Sequence, residues 1–476
     1  MSTDLGRGLL VPRLVRAADD ALAGSIRLRG FHLLARGGVE LLGAQVISPD
    51  GEVVLSVERA RVTLDVARLR ARDVGVVVEL DAPTVVLKRE EDGSLSLARA
   101  FAPTHPSPAQ QPSGEPAWTI RATRIAIRGG TVRYLDASGR PQVVVEALTA
   151  DGRGGYGPRG GGAQLSVHGE LTAPERAPMD LALRASLRGR AVRVQRLRAA
   201  VGDTAIELLG SFDSATWKGR AAVLALAVDA DAVRALAPRS PLAADVAGTL
   251  YAESDGQLAT AALDLAPKGG GGTARASAAF RLPPAALAGG ADVQVAGLDL
   301  SRVLRGAPSS ALTVEARARA AGADLATLRG GGVLSVAPSR LRSGRVQSLE
   351  ARVLLDRGAW ELQRLDAALP GATLSARGRW RRGGEVSGQL TADATDLRAL
   401  RSNVAALLDR PLPPLAGAAR VEATVSGTED APAATVRLAA PNLAAADVAA
   451  SGLALDGRLA GPLSAPTADV TANAAG

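Results

Sequence analysis

The chain contains no cysteine, which excludes disulfides and thiolate metal sites and leaves the redox compartment open. Its three histidines, His32, His105 and His168, stand apart, and none has a second histidine at ligand spacing. Aromatic residues make up 2% of the sequence, so large rigid core fillers are nearly missing. Lysine occurs only as Lys88, Lys218 and Lys268, and the net charge of +8 is carried by arginines scattered among nearly as many acids. Without arginine clusters or stacking aromatics, nucleic acid is not an expected partner. No apolar run approaches the roughly 18–20 residues needed to span a bilayer; the best are residues 74–80 and 221–228. Leu9, Leu10 and Val11 run at once into Pro12, which is not the pattern of a signal peptide.

Catalytic machinery is equally scarce. There is no Gly-x-Ser-x-Gly motif, and a serine nucleophile would have to recruit one of three isolated histidines. Glu90, Glu91 and Asp92 read as a solvated hairpin tip rather than a general-acid pair. The glycine-rich stretch 152–162, GRGGYGPRGGG, reads as a loop; it lacks a Lys-Ser/Thr pair and leads into a strand, unlike a phosphate-binding loop. The sequence therefore predicts no enzyme, no catalytic residue, no metal site and no cofactor.

What is present is alternation. The 53 glycines and 27 prolines preclude long helices despite abundant alanine, leaving many short strands with frequent turns. The pattern is strongest in residues 25–97, where apolar residues recur at Val53, Leu55 and Val57, at Val62, Leu64 and Val66, at Val76, Val78 and Leu80, and at Val85 and Leu87. Turn signals separate these runs at Pro49-Asp50-Gly51, Arg72-Asp73, Ala82-Pro83 and Asp92-Gly93. These eleven residues are the candidate inward face, although a bulge anywhere among them would exchange the two faces.

Taken in order, residues 1–24 show near-helical spacing of Leu10, Leu14, Val15, Ala18, Ala21 and Leu22 and predict a helix. It would either cap the first sheet edge or lie on a membrane surface. Residues 25–103 form a β-meander and 104–117 a Pro/Ser-rich loop. Residues 118–170 form a second β group, with strands at 119–127, 130–135 and 143–148. Residues 171–476 form a β-repeat region. Within it, 204–249 and 372–425 share one order: a strand, a glycine with an aromatic two residues later (Gly210 and Phe212; Gly378 and Trp380), a strand, a short helical turn at 229–236 or 393–400, a Pro-Leu-Ala, and another strand. A partial third copy centres on 299–304. Such units are stabilised by stacking on their neighbours. Asp229, Asp231, Asp299 and Asp393 are expected to cap the helical turns rather than bind metal. The fold expected is all-β: an elongated, curled antiparallel sheet of about 35 strands spaced about 4.8 Å apart, with few helical turns.

The opening stretch resembles the N-terminal region of AsmA-like and TamB-like envelope proteins. The carrying features are SPDGEVVLSVERARVTLDV, VELDAPTVVLKRE and the close Asp92-Gly93-x-Leu95-x-Leu97. WTIRATRIAIRGGTVRYLDASG is similar to their second strand group, and VEATVSGTEDAPAATVRLAAPNLAAADVAASGLALDGRLAGPL to the TamB-like repeat. The resemblance implies a curled β-groove in the periplasm, associated with the inner membrane, whose partners are phospholipid acyl chains and an outer-membrane β-barrel assembly protein. It implies a role in phospholipid transport between the inner and outer membranes. Members usually carry an N-terminal membrane helix, which this chain lacks, and a C-terminal domain, whereas this chain stops in mid-pattern at Gly476. Two other functions fit the same pattern: a periplasmic scaffold for outer-membrane β-barrel assembly, offering sheet edges, and a structural β-stalk without a ligand.

Overall fold

The computed structural model describes residues 22–34, 38–65, 67, 69–90, 92–102, 118–158, 160–236, 240–282, 287–323, 327–445, 448–461 and 467–475. The expected N-terminal helix, the Pro/Ser-rich loop with His105, Val66 and Glu91 lie outside the described residues. The described residues form 29 strands and four α-helices, so the fold is all-β. The chain divides into two compact units, Met1–Ser240 and Pro241–Gly476.

The first unit runs β1 (Ser25–Arg27), β2 (Gly30–Leu34), β3 (Gly38–Ile47), β4 (Val53–Asp65), β5 (Asp73–Asp81), β6 (Thr84–Lys88) and helix α1 (Ser96–Ala100). It continues with β7 (Thr119–Leu135), β8 (Pro141–Gly157), β9 (Gly160–Ala173), β10 (Ala177–Arg188), β11 (Ala191–Val201), β12 (Thr204–Asp213), β13 (Lys218–Val228) and α2 (Ala230–Leu236). Neighbours pair antiparallel, except that β5 and β6 both lie parallel to β7. Together β5 and β6 act as one interrupted strand between β4 and β7.

Several runs that look separate in sequence fuse. The 53–57 run and residues 62–65 of the next share β4, and those at 119–127 and 130–135 share β7, which is why the strands are fewer and longer than expected. The glycine-rich stretch 152–162 is not a loop: β8 continues to Gly157 and β9 starts at Gly160. Backbones approach closely there, since a Cβ on Gly154 would stand 2.9 Å from the Gly162 carbonyl oxygen. Glycine is therefore used as a strand residue.

A line of left-handed residues crosses this sheet: Gly43 (φ 57°), Ala82 (48°), Gly129 (63°) and Ala147 (51°). Such irregularities bend strands and re-aim their side chains. On one side of this seam Val46, Val54 and Ala100 are buried together, with Ile26, Leu55 and Leu97 packed against them beneath α1. This is where the first unit has a core.

The second unit runs β14 (Val246–Asp255), β15 (Leu258–Pro267), β16 (Thr273–Arg281), β17 (Leu287–Leu298), α3 (Leu300–Val303), β18 (Ser310–Gly322) and β19 (Arg329–Val336). A small hairpin follows, β20 (Ser339–Leu341) and β21 (Gly344–Val346), and then β22 (Ser348–Asp356), β23 (Ala359–Leu369), β24 (Ala372–Arg381) and β25 (Val386–Ala394). It ends with α4 (Leu397–Leu408), β26 (Leu415–Gly427), β27 (Pro432–Ala445), β28 (Val448–Ala460) and β29 (Thr467–Ala475). The main ladder passes directly from β19 to β22.

The repeat order expected from sequence is present: two strands, a helix and a strand recur at β12–β13–α2–β14, β16–β17–α3–β18 and β24–β25–α4–β26. An aspartate caps each helix. Asp229 Oδ1 accepts from Ala232 N at 2.7 Å, Asp299 from Ser301 N at 3.1 Å, and Asp396 from Arg398 N and Ala399 N at 2.9 and 3.0 Å. Two expected caps differ. Asp393 lies in β25 and pairs with Arg420 at 3.4 Å, because the helix starts three residues later than the repeat alignment suggests. Asp231 sits in the first turn of α2 and pairs with Arg234.

Two side chains anchor helix α4 on the β20–β21 hairpin: Arg342 of the turn donates from Nη1 to the Leu407 carbonyl at 2.7 Å, and Asn403 of the helix bonds the β21 backbone. Buried Asn403 accepts from Arg345 N at 2.7 Å and donates from Nδ2 to the Arg345 carbonyl at 2.9 Å, completing the β21 edge as another strand would. Replacing Asn403 by alanine leaves a buried N–H and C=O unpaired, at a cost of about 1–3 kcal/mol. Urea unfolding of Asn403→Ala should show that loss, while Ser402→Ala, at an exposed neighbouring position, should unfold like the parent.

Candidate functional site

In each unit the residues that could do something collectively are those of one sheet face. In the first unit the ladder places Val39, Val62, Val78, Ile125, Gly152, Leu165, Leu183, Leu197, Leu208 and Val223 side by side, one per strand. A flanking row runs from Leu41, Ala60 and Leu80 to Leu181, Ala199, Ile206 and Leu226, and the other from Leu64 and Val76 to Val194, Gly210 and Ala221. All three rows contain only apolar residues and glycine.

The second unit repeats the arrangement over more strands. Its central row is Leu250, Leu263, Ala276, Val293, Ala316, Leu334, Ala351, Leu365, Ala376, Leu390, Ala423, Val436, Gly457 and Val470. From Ala276 onward small and large residues alternate strictly. Side chains directly opposite on adjacent strands have Cβ atoms only about 5 Å apart, so alternating size relieves crowding along the row. Its flanking rows, from Gly248 and Leu265 to Leu455 and Ala472 and from Ala252 and Ala261 to Leu459 and Ala468, are also wholly apolar. Rows on one face are two residues apart along each strand, so the three rows span about 14 Å between their outer members.

The opposite face is polar. In the second unit the intervening row reads Thr249, Asp264, Arg275, Gln294, Glu315, Ser335, Glu350, Asp366, Ser375, Thr391, Glu422, Arg437, Asp456 and Thr471. Asp264 pairs with Arg275 at 2.8 Å and Arg437 with Asp456 at 3.3 Å. In the first unit a chain of ion pairs crosses five strands: Glu40 to Arg61 (3.0 Å), Arg61 to Glu79 (3.4 Å), Glu79 to Arg124 (3.6 Å) and Arg124 to Asp151 (3.6 Å). Glu40 holds the Arg61 guanidinium above its ordinary pKa, chiefly through their hydrogen bond.

No element among the described residues is packed as a second layer on the apolar rows. Among the described residues, element contacts join ladder neighbours, or join helices and the β20–β21 hairpin to the strand ends they border. Row residues are therefore sheltered mainly by one another. In β22 Leu349, Ala351, Val353 and Leu355 are half-buried, whereas Leu354, on the polar face, is exposed. Shelter on the apolar face is uneven: Leu334 in the central row is 37% exposed, against 38% for Leu354 on the polar face. The chain's accessible surface is 29496 Å², against about 16,500 Å² for a compactly folded chain of its mass.

The structure divides the eleven candidates. Val62, Leu64, Val76, Val78 and Leu80 lie in the three open rows, with Val62 opposite Val78 and Leu64 opposite Val76. Leu55 faces Val85 across the ladder and packs into the cluster under α1. Val57 is buried opposite Ala44, Val53 is exposed, and Leu87 pairs with Tyr134. Alternation alone could not separate these groups, because the seam through Gly43 and Ala82 lies between them. The rows downstream were equally hidden: each strand supplies only one or two members, and the register that aligns them is a property of the ladder.

Among the described residues no cluster of three or more His, Asp or Glu could hold a metal ion. His168 meets only Asp180 on the neighbouring strand, both exposed. No helix of the described residues is long and apolar enough to cross a membrane. No protein-family model, no curated protein and no solved structure matches the chain.

Four carboxylates at the strand ends are held below their ordinary pKa: Asp92 by the Ser94 hydroxyl, Asp136 by Ser138, Asp299 by Ser301 and Glu170 by Arg176. A depressed folded-state pKa stabilises the fold above the unfolded value, and the contribution is lost as pH falls through the folded value. The melting temperature should therefore hold from about pH 8 to about pH 5 and decline below about pH 4, the ordinary carboxylate range. In Asp136→Asn the acid-side decline should be shallower, as thermal melts across that range would show.

Proposed function

We propose that this chain is an AsmA-like or TamB-like envelope protein whose apolar sheet face shelters phospholipid acyl chains as they pass between the inner and outer membranes. One observation carries the reading: three uninterrupted apolar rows per unit, backed by a charged face and, among the described residues, without a second layer over them. An acyl chain resists water by about 0.8 kcal/mol per methylene, roughly 12 kcal/mol for sixteen carbons. A carrier must shield such a chain along its whole length without recognising it in detail. Rows of Val, Leu, Ala and Gly offer continuous contact and no polar anchor. Their span of about 14 Å is close to the depth of one leaflet's hydrocarbon, half of about 30 Å. The scarcity of aromatics also fits, since a bulky ring projecting from a row would obstruct the face.

Mass spectrometry of lipid copurifying with gently extracted protein tests this. Phospholipid should be present in the parent and depleted in Leu334→Glu and in Val78→Asp, one substitution per unit, while both variants keep β-sheet circular dichroism. Leu334 is 37% exposed, so a carboxylate there reaches water without unfolding the sheet. Parent protein free of lipid would sink the reading and favour the scaffold or stalk alternatives.

A further inference from the structure

The apolar face has two unlike rims. One carries the helices. Along the other, in the first unit, the next row outward from Leu64 contains Val74, Ile120, Tyr156, Gly161, Leu187, Val192, Phe212 and Gly219. Trp217 stands in the adjoining turn, edge-on to Phe212 with ring centroids 6.0 Å apart. The rings are fixed: a Cβ on Gly161 would lie 2.9 Å from the Tyr156 ring, and one on Gly219 3.0 Å from the Phe212 ring. Each aromatic thus lies over a glycine of the neighbouring strand, which holds it in place. Yet these side chains stay open to solvent, with Ile120 60%, Tyr156 49% and Trp217 61% exposed. The chain has only eleven aromatic residues, and leaving three of them exposed on this rim is not what core packing requires.

The tips between these strands are cationic. Arg188 and Arg190 flank the β10–β11 turn, and Lys218 follows Trp217 in the β12–β13 turn beside Asp213, while the acids of the β4–β5 turn on this rim are Asp65 and Asp73, the latter paired with Arg121 at 2.8 Å. Arg188, Arg190 and Lys218 make no ion pair among the described residues. The opposite ends of the same strands carry Glu175, Asp203 and Asp229. The rim therefore combines amphipathic rings at mid-depth with unpaired cations at the outermost points. That combination matches the interface of an anionic bilayer, where Trp and Tyr rest at the headgroup level and Lys and Arg meet the phosphates.

We propose that the aromatic rim of the first unit, centred on Ile120, Tyr156, Phe212 and Trp217 with Arg188, Arg190 and Lys218 at its tips, docks on an anionic phospholipid surface. The proposal goes beyond sheltering of acyl chains and is separable from it, because the rim row and the open rows are different residues. A sheet that meets a membrane edge-on needs only a narrow band of contact, and the Tyr156, Phe212 and Trp217 rings together with Ile120 provide one.

The test uses the full chain and sedimentation with phosphatidylcholine vesicles, with and without phosphatidylglycerol. The parent should bind the phosphatidylglycerol vesicles more tightly, and added salt should weaken that binding. The triple variant Arg188→Ser/Arg190→Ser/Lys218→Ser should lose about fivefold in affinity per cation, the equivalent of about 1 kcal/mol each. Trp217→Asn combined with Ile120→Ser should weaken binding to both vesicle types; asparagine suits the positive φ of 56° at position 217. Circular dichroism melts confirm that each variant is folded. Copurified lipid, measured in parallel, should stay unchanged in the rim variants, so failure of docking is distinguishable from failure of the sheltering reading. The proposal is overturned if the parent ignores anionic vesicles, if folded rim variants bind like the parent, or if the rim instead mediates self-association that the same substitutions abolish.

Discussion

Side chains on a strand alternate with period two, and a one-residue slip exchanges the two faces. A sheet with a core on one side tolerates local errors because packing selects the right face. Here, among the described residues, most of the sheet has no facing layer, so register must be maintained by the ladders. Bulges follow from this constraint and recur at matching levels. Shifts at Arg184/Ala185, Val194/Leu197 and Glu207/Leu208 fall in three successive ladders, and those at Arg352/Val353 and Leu362/Leu365 in two more. An irregularity in one strand is answered in the next, and the apolar residues return to the same face.

Cohesion accordingly comes from long ladders and from contacts along rows. Among the described residues only sixteen apolar residues are buried, and one cluster of them, under α1, amounts to a core. The ion pairs of the polar face contribute little individually, about 0–1 kcal/mol each at exposed sites. Their role is better understood as keeping the outer face wet, so that the two sides of a thin sheet remain chemically distinct.

Much of this was legible in the sequence. The all-β class, the recurring strand–strand–helix–strand unit and the capping aspartates Asp229 and Asp299 follow from alternation, glycine spacing and turn chemistry. The apolar rows did not, since a row takes one residue from each strand and no window of sequence contains two adjacent members. Leu55 and Leu64 look alike in alternation, yet one is packed under α1 and the other lies in an open row, because the seam between them is set by backbone angles at Gly43, Ala82 and Gly129. Asp393 was mistaken for a cap because the repeat is degenerate: α4 starts later than α2 in the common frame, and Asp396 takes the position. The stretch 152–162 misled for a different reason, in that glycine there serves close strand packing rather than turning.

The helices of the second unit, α3 and α4, border the same rim of its sheet, and six strands of the main ladder lie between them. The even number is a matter of topology. In an antiparallel meander a connection returns to the same rim only after two strands, so only insertions of whole hairpins leave every downstream turn and helix on its original rim. A gene encoding such a sheet can therefore lengthen or shorten in hairpin-sized steps while keeping its two faces and two rims intact, whereas the gain or loss of one strand would move every following helix to the wrong side. The irregular spacing of the repeats is what a history of such paired steps would leave.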